Sequence, residues 1–189
     1  MKMLPRASRL GKVRATSIDS VTTIDDAIDA GRRTGLKGWA LVAYVRRLVR
    51  RKFAIYTTRN VWDSPAGAFE HGLGYCTQYN LALKEILDGL GFETRAVFCL
   101  KVRNLDDERW TMGHTWLRVT IDGQERDVCA GSLQEASGLN RFVPLWPVLP
   151  GSRPLLLLTH IGLILFSSFV EWKAVLSGRP APYWTYMER

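Results

Sequence analysis

The stretch that decides the fold is GYCTQYNLALKEILDGLGFETRAVF, residues 74–98, which combines a glycine-bounded turn, a cysteine, an amphipathic helix and a strand. Its apolar residues recur at helical spacing, at positions 76, 79, 83, 86, 87 and 90, and so share one face of the predicted helix. Gly89 and Gly91 end that helix. Cys76 therefore lies in the first turn, on the inward face, either as a small buried hydrophobic residue or as a nucleophile.

The flanking segments predict further helices and strands. Thr23, followed by two aspartates, starts a short helix over about 23–31. A second helix follows over about 36–51, with apolar residues on the face that packs on the protein and basic residues on the other side. Strand patterns cover about 94–102, 113–121 and 124–128, and the Asp122-Gly123 pair between the last two predicts a tight hairpin. We expect an α+β domain in which helices pack on an antiparallel sheet.

The two ends of the chain differ from this predicted core over 21–140. Residues 1–20 form a basic N-terminal arm, and 141–189 form a hydrophobic C-terminal extension. The 16 apolar-rich residues 155–170 fall short of the ~18 to 20 needed to span a bilayer, so a helix in the core or at an oligomer interface is the first interpretation. The alternative is membrane association through 155–172, because Arg153 and Lys173 flank the segment as interfacial anchors do.

The amino-acid composition limits which classes of function are expected. The 189 residues are 47% hydrophobic and 23% charged, which is ordinary for a globular domain. The net charge is +8, and ten of the 26 basic residues fall in two segments, 1–14 and 45–52. No zinc-finger, RRM, KH or basic-zipper pattern is present, so we expect a solvated basic surface and no specific nucleic-acid partner.

Cysteine usage points to a reducing compartment. The three cysteines, at 76, 99 and 129, have neither CxxC spacing for zinc nor the even number of a disulfide framework. No apolar segment follows the basic N-terminus, so no secretory signal is predicted and a cytoplasmic setting is expected. No calcium-loop pattern is present, and we expect no metal or organic cofactor.

The cysteine at a helix N-terminus is chemically suited to nucleophilic catalysis. Unpaired backbone N–H groups and the helix dipole stabilise a thiolate and can also hold an oxyanion. A base must lie within hydrogen-bond reach, and the chain offers His71, His114 and His160. His114 begins a predicted strand, and Asp127 lies on the next one.

These residues resemble the transglutaminase-like superfamily. The stretch 74–98 is similar to its G-x-C, helix and strand-entry pattern, GHTWLRV (113–119) resembles its histidine strand, and ERDVCAG (125–131) resembles the following aspartate strand. The resemblance covers roughly residues 50–131. It implies a papain-like fold and a Cys-His-Asp triad in enzymes that include cross-linking enzymes, peptidases and peptide:N-glycanases.

Carried onto this chain, the resemblance implies that Cys76 is the nucleophile, His114 the general base and Asp127 the residue that orients the imidazole. The backbone N–H of Cys76 would supply half of an oxyanion hole. Trp62 is the candidate second donor by analogy with the cross-linking enzymes, and His71 and Gln78 are other candidates. We expect Trp116 to wall the site beside His114, and Cys99 and Cys129 to be inert core residues.

Asp127 has two interpretations. A tight hairpin at Asp122-Gly123 pairs Asp127 with Arg118 and leaves it four residues, about 13 Å, along the strand from His114. A contact with His114 requires a bulge or another register. Otherwise Asp127 is a cross-strand partner of Arg118.

The expected function is thiol-dependent acyl transfer on a peptide, protein or small amide substrate, with water or an amine as acceptor. Two other hypotheses stay open. The scaffold could be a catalytically idle binding module, or a basic nucleic-acid or membrane-surface protein that uses the basic segment and the apolar tail.

Overall fold

The structure, a computed structural model, describes residues 20–105, 112–131, 140–180 and 186–188. The predicted basic arm therefore lies almost wholly outside the described residues. The helices are α1 Ile24–Arg33, α2 Gly38–Lys52, α3 Pro65–His71, α4 Cys76–Gly89 and α5 Arg153–Leu176. The strands are β1 Ile55–Thr57, β2 Leu73–Gly74, β3 Glu93–Cys99, β4 Val102–Asn104, β5 His114–Ile121, β6 Gln124–Val128, β7 Phe142–Pro144, β8 Leu149–Pro150 and β9 Tyr186–Glu188.

The central sheet has the order β6-β5-β3-β8, with every neighbouring pair antiparallel. Helix α4 packs on β3 and β5 and is in turn contacted by α1, α2 and α3. Two smaller sheets, β2-β1-β9 and β4-β7, flank this arrangement. The predicted α+β class, with helices packed on an antiparallel sheet, is confirmed.

Helix α4 follows the predicted apolar period. Cys76, Tyr79, Leu83, Ile86 and Leu87 are all buried, so the inward face runs the length of the helix. The helix ends where Gly91 adopts a φ of 85°, which a residue without a side chain adopts without strain.

The β5–β6 hairpin has the register that the turn chemistry predicts. Asp122 and Gly123 have φ values of 50° and 76°, the positive-φ pair of a type I′ turn, whose twist matches that of the flanking strands. Arg118 consequently pairs with Asp127, in a ladder that runs from Ile121↔Gln124 to Leu117↔Val128.

Two expectations about helices need correction. Arg46, expected on a solvated basic back of α2, is buried, and its Nη1 donates to the carbonyl of Cys129 at 3.4 Å. Helix α5 is not a core helix: within it only Ser167 and Ala174 are buried. With 24 residues, α5 is the one helix in the described part of the chain that is long and apolar enough to cross a membrane, judged by length and composition alone.

Candidate active site

The N-terminus of α4 is fixed by a network around Gln78. The Gln78 Oε1 accepts a hydrogen bond from the backbone N–H of Tyr75 at 3.2 Å. Its Nε2 donates to the carbonyls of Asn60 and Asp63 at 2.8 and 2.9 Å. Both ends of this amide are committed to backbone groups, so Gln78 holds the loop before the helix and is not aimed at a substrate oxyanion.

Cys76 is the first residue of α4, and it lines a cavity of about 580 Å³. Its relative exposure is 8%, whereas Cys99 and Cys129 are fully buried at 0%. Cys76 is thus the most accessible of the three thiols. The cavity is walled mainly by apolar side chains, together with Tyr56, Tyr75, Thr77, Thr115 and Thr159.

Asn80 ties the cysteine helix to the central sheet. Its Nδ2 donates to the carbonyls of Cys76 at 3.1 Å and Thr115 at 2.7 Å, and its Oδ1 accepts from the N–H of Ala130 at 3.0 Å. The hydroxyls of Thr77 and Thr115 also meet at 3.1 Å. Because these threonines directly follow Cys76 and His114 in sequence, the contacts place both residues at one junction between α4 and β5.

His114 is fully buried at this junction. Its Nε2 lies 3.1 Å from the Sγ of Cys129. Phe142 stacks on one side of the imidazole, with ring centroids 3.6 Å apart, and Trp116 stacks at 6.0 Å. Trp116 is itself fully buried, so it supports the imidazole from within the core, and the cavity is lined by other residues.

The sulfur of Cys129 accepts hydrogen bonds from two further directions. The backbone N–H of Gly131 lies 3.2 Å from Sγ, and the Nδ2 of Asn80 lies 3.4 Å away. Cys129 therefore lies within hydrogen-bond distance of the His114 imidazole, where an inert core thiol was expected.

The structure does not bring Asp127 to His114. Arg118 Nε donates to Asp127 Oδ1 at 2.8 Å, in the cross-strand pair that the hairpin register dictates. The four-residue offset from His114 to Arg118 corresponds to about 13 Å along the strand. Of the two interpretations of Asp127, this geometry matches the partner of Arg118.

Trp62 and His71 lie outside the cavity lining. Trp62 is 80% exposed, and its ring packs edge-on against that of His160 with the ring centroids 6.1 Å apart. The His71 side chain is also largely exposed, and its Nδ1 lies 3.1 Å from Asp63 Oδ2. A role of Trp62 or His71 as an oxyanion donor stays a prediction.

Helix α5 is anchored beside the cysteine by Tyr75. Burial raises the pKa of Tyr75, and the neighbouring Cys76 charge adds to the effect, so the phenol stays protonated. Burial lowers the pKa of His160, which favours the neutral imidazole. The Tyr75 hydroxyl and Nδ1 of His160 form a hydrogen bond between these two neutral groups. Sequence reasoning missed this contact, because residues 75 and 160 are distant in sequence and no pattern links them.

Cys129 and Asn80 are also residues that sequence reasoning missed, although each left a signal. Continuing the predicted hairpin by two residues beyond Asp127 places position 129 opposite Trp116, on the face of His114. Asn80 lies one helical turn after Cys76, on the buried side of α4.

Comparison with known proteins adds little to the geometry. No family model matches the chain, and no curated protein matches it in sequence. A solved structure described as "Crystal structure of a TGase" aligns with a TM-score of 0.46 and 12% sequence identity, over 70% of this chain and 37% of that one. The chain thus spans little more than a third of that protein's length. A likeness this low says nothing about activity, which must be argued from the site.

Proposed function

We propose that the protein is a thiol-dependent acyl-transfer enzyme with Cys76 as its nucleophile and His114 as its general base. The observation that carries the proposal is the position of Cys76, which is the first residue of α4 and lines the cavity while α4 is docked on the first residues of β5. A helix N-terminus stabilises a thiolate and supplies backbone N–H groups to an oxyanion.

The reaction proceeds through a thioester. The Cys76 sulfur forms a bond to the carbonyl carbon of an amide or ester, and the bond from that carbon to the leaving nitrogen or oxygen breaks. His114 takes the thiol proton and delivers it to the leaving group. Water or an amine then attacks the thioester, gives up a proton to His114 and releases the thiol, so the two outcomes are hydrolysis and amide transfer.

Cys129 is the third residue of this proposed site, in the role first predicted for Asp127. The contact between Cys129 Sγ and His114 Nε2 at 3.1 Å fixes the orientation of the ring. Nδ1 is then the nitrogen that exchanges protons with Cys76 and the leaving group. Asn80 supports the arrangement because it bonds both to the first turn of α4 and to the Cys129 sulfur.

The test is formation of an acyl-enzyme. Incubation with 4-nitrophenyl acetate should add one acetyl group, found by intact mass and mapped to Cys76, and Cys76→Ala should lose the adduct and the ester turnover. Cys99→Ala is the matched control, because that buried thiol bonds to the carbonyls of Lys101 and Trp146 and does not line the cavity. Equal turnover in folded Cys76→Ala would exclude the proposal.

A second candidate function is an idle binding module. It is favoured by the stacking of Phe142 on His114, which leaves the imidazole fully buried. In that case the acetyl adduct forms no faster than on glutathione, while the cavity still binds apolar ligands.

A further inference from the structure

Helix α5 exposes large apolar side chains although it is also attached to the domain. His160 bonds to Tyr75, Glu171 pairs with Arg59 at 3.2 Å, and Leu163 and Ile164 pack against the core. The outward face carries large exposed side chains, among them Leu158, Leu165, Phe169, Trp172 and Leu176. A surface helix usually turns its apolar stripe to the core and its polar side outwards, whereas the outward side of α5 is apolar as well.

The same helix forms one wall of the cavity at Cys76. Its contribution to the lining is Leu155, Leu158, Thr159, Gly162, Leu163 and Phe166. Leu158 and Phe166 are also at least half exposed, so the cavity opens to the surface beside the outward face of α5. An apolar chain can therefore pass from that face to the thiol without crossing a polar surface.

We propose that the outward face of α5 lies in the surface of a lipid bilayer, and that the cavity takes the apolar chain of a lipid-type acyl substrate. The substrate part of this inference rests on the proposed function of Cys76. A carbonyl carried by such a chain would reach Cys76 in the cavity lining, and the acyl-transfer step is the one given above.

The helix lies along the bilayer surface and does not cross it. His160 and Glu171 are 11 residues apart, about 16 Å along a helix, and both bond to the domain. A helix attached to the domain over that length cannot enter the hydrocarbon core end-on. It resembles an interfacial helix, which buries one apolar face to the depth of the headgroups.

The charge distribution favours a bilayer over a second copy of the chain as occupant. Exposed Arg153, Lys173 and Arg179 lie at the two ends of α5, where they would meet anionic headgroups, and the whole chain carries +8. A second copy on this face would bring like charges together and would close the mouth of the cavity.

Vesicle flotation tests the surface without requiring catalysis. Full-length Cys76→Ala should float with phosphatidylcholine vesicles that contain phosphatidylglycerol, and less with phosphatidylcholine alone. Adding Leu165→Glu and Phe169→Glu should abolish flotation, whereas Leu36→Glu, an exposed leucine on the α1–α2 loop, should not. If the protein does not float, or if sedimentation shows a dimer that the two glutamates dissociate, the bilayer proposal is wrong.

Chain-length dependence of thiol labelling tests the cavity. N-dodecylmaleimide should modify Cys76 at least about tenfold faster than N-ethylmaleimide, with both rates taken relative to glutathione, because added methylenes gain contact with apolar walls. Gly162→Trp, and the milder Gly162→Leu, should lower this preference, and Leu36→Trp should keep it. If Cys76 reacts faster than glutathione but shows no preference for the longer chain, the lipid-type substrate is excluded and the proposed function of Cys76 stands. A reaction no faster than that of glutathione with both reagents overturns the proposed function itself.

Discussion

At the scale of single residues, the proposed site depends on which side chain contacts the His114 imidazole. The structure offers a thiol where a carboxylate was predicted, with the sulfur 3.1 Å from Nε2 and two N–H donors directed at the same sulfur. Asp127 is instead engaged by Arg118. The two assignments predict opposite results for a pair of substitutions.

Cys129→Ala removes the side chain that lies within hydrogen-bond distance of the imidazole. We expect acylation of Cys76 to slow by about 100-fold, because a mis-oriented histidine loses the benefit of general base catalysis. Cys129→Asp should recover part of the rate, because a carboxylate can accept the same hydrogen bond. Stopped-flow measurement of nitrophenol release gives both rates, with Cys99→Ala as the control. A rate in folded Cys129→Ala equal to that of the wild type would remove Cys129 from the site.

Asp127→Asn removes the ion pair with Arg118. Because both side chains are about one-third exposed, we expect a loss of about 0.5 to 1 kcal/mol in the free energy of unfolding. The acylation rate should change by less than about twofold. Urea unfolding and the same ester assay measure the two effects. Should the acylation rate fall as far as in Cys129→Ala, Asp127 is the third residue after all.

At the scale of elements, a buried amide joins α4 to both strands of the β5–β6 hairpin. Asn80 is 0% exposed and satisfies the carbonyl of Thr115 and the N–H of Ala130, which lie on the two chain segments at the open end of the hairpin. Its loss would leave these backbone groups buried without that partner. Neither group could recover the bond from water in the core.

Asn80→Ala should therefore destabilise the fold by about 1–3 kcal/mol, the cost of desolvated polar groups left without their hydrogen bond. The control is Gln124→Ala, at the exposed start of β6. Urea unfolding followed by circular dichroism measures the difference. A change in the free energy of unfolding no larger than that of Gln124→Ala would contradict the assigned role of Asn80.

The anchoring of α5 should depend on pH through His160. Burial lowers the pKa of His160 below its usual 6.5, so the docked state binds fewer protons than a detached helix. The contribution of His160 is fully present above pH 6.5 and is lost as pH falls through the lowered pKa, because burial disfavours the charged imidazolium. Protection of the amides in 153–176, taken as exchange relative to the intrinsic rate at each pH, should fall on acidification. His160→Gln should abolish this pH-dependent change, and His71→Gln should keep it. If the protection of 153–176 in the wild type does not change with pH, His160 does not control the anchoring of α5.

The sequence predicted the positions of helices and strands better than it predicted which side of each element is buried. The apolar period fixed α4 and its inward face, and Asp122-Gly123 fixed the hairpin register, because both depend on local geometry. The segment 155–170 predicted a helix from composition. Composition alone does not reveal which face of a helix packs on the core. Of the first interpretation, a helix in the core or at an oligomer interface, only the core position is contradicted for α5.

At the scale of the whole molecule, the proposed site draws on three separate elements. Cys76, His114 and Cys129 come from α4, β5 and the segment after β6, and the contact of His114 with Cys129 depends on the pairing of the two strands. The resemblance to the transglutaminase-like superfamily predicted the first two. The third was missed because a motif resemblance favoured a nearby aspartate over the residue that the register brings opposite Trp116.

The central claim is that Cys76 is an activated nucleophile, and its alkylation rate tests that claim most directly. The second-order rate constant with iodoacetamide at neutral pH, followed by intact mass and peptide mapping, should exceed that of glutathione although Cys76 is only 8% exposed. His114→Gln should lower the rate, and His71→Gln should not. A rate at or below that of glutathione, unaffected by His114→Gln, would contradict the account.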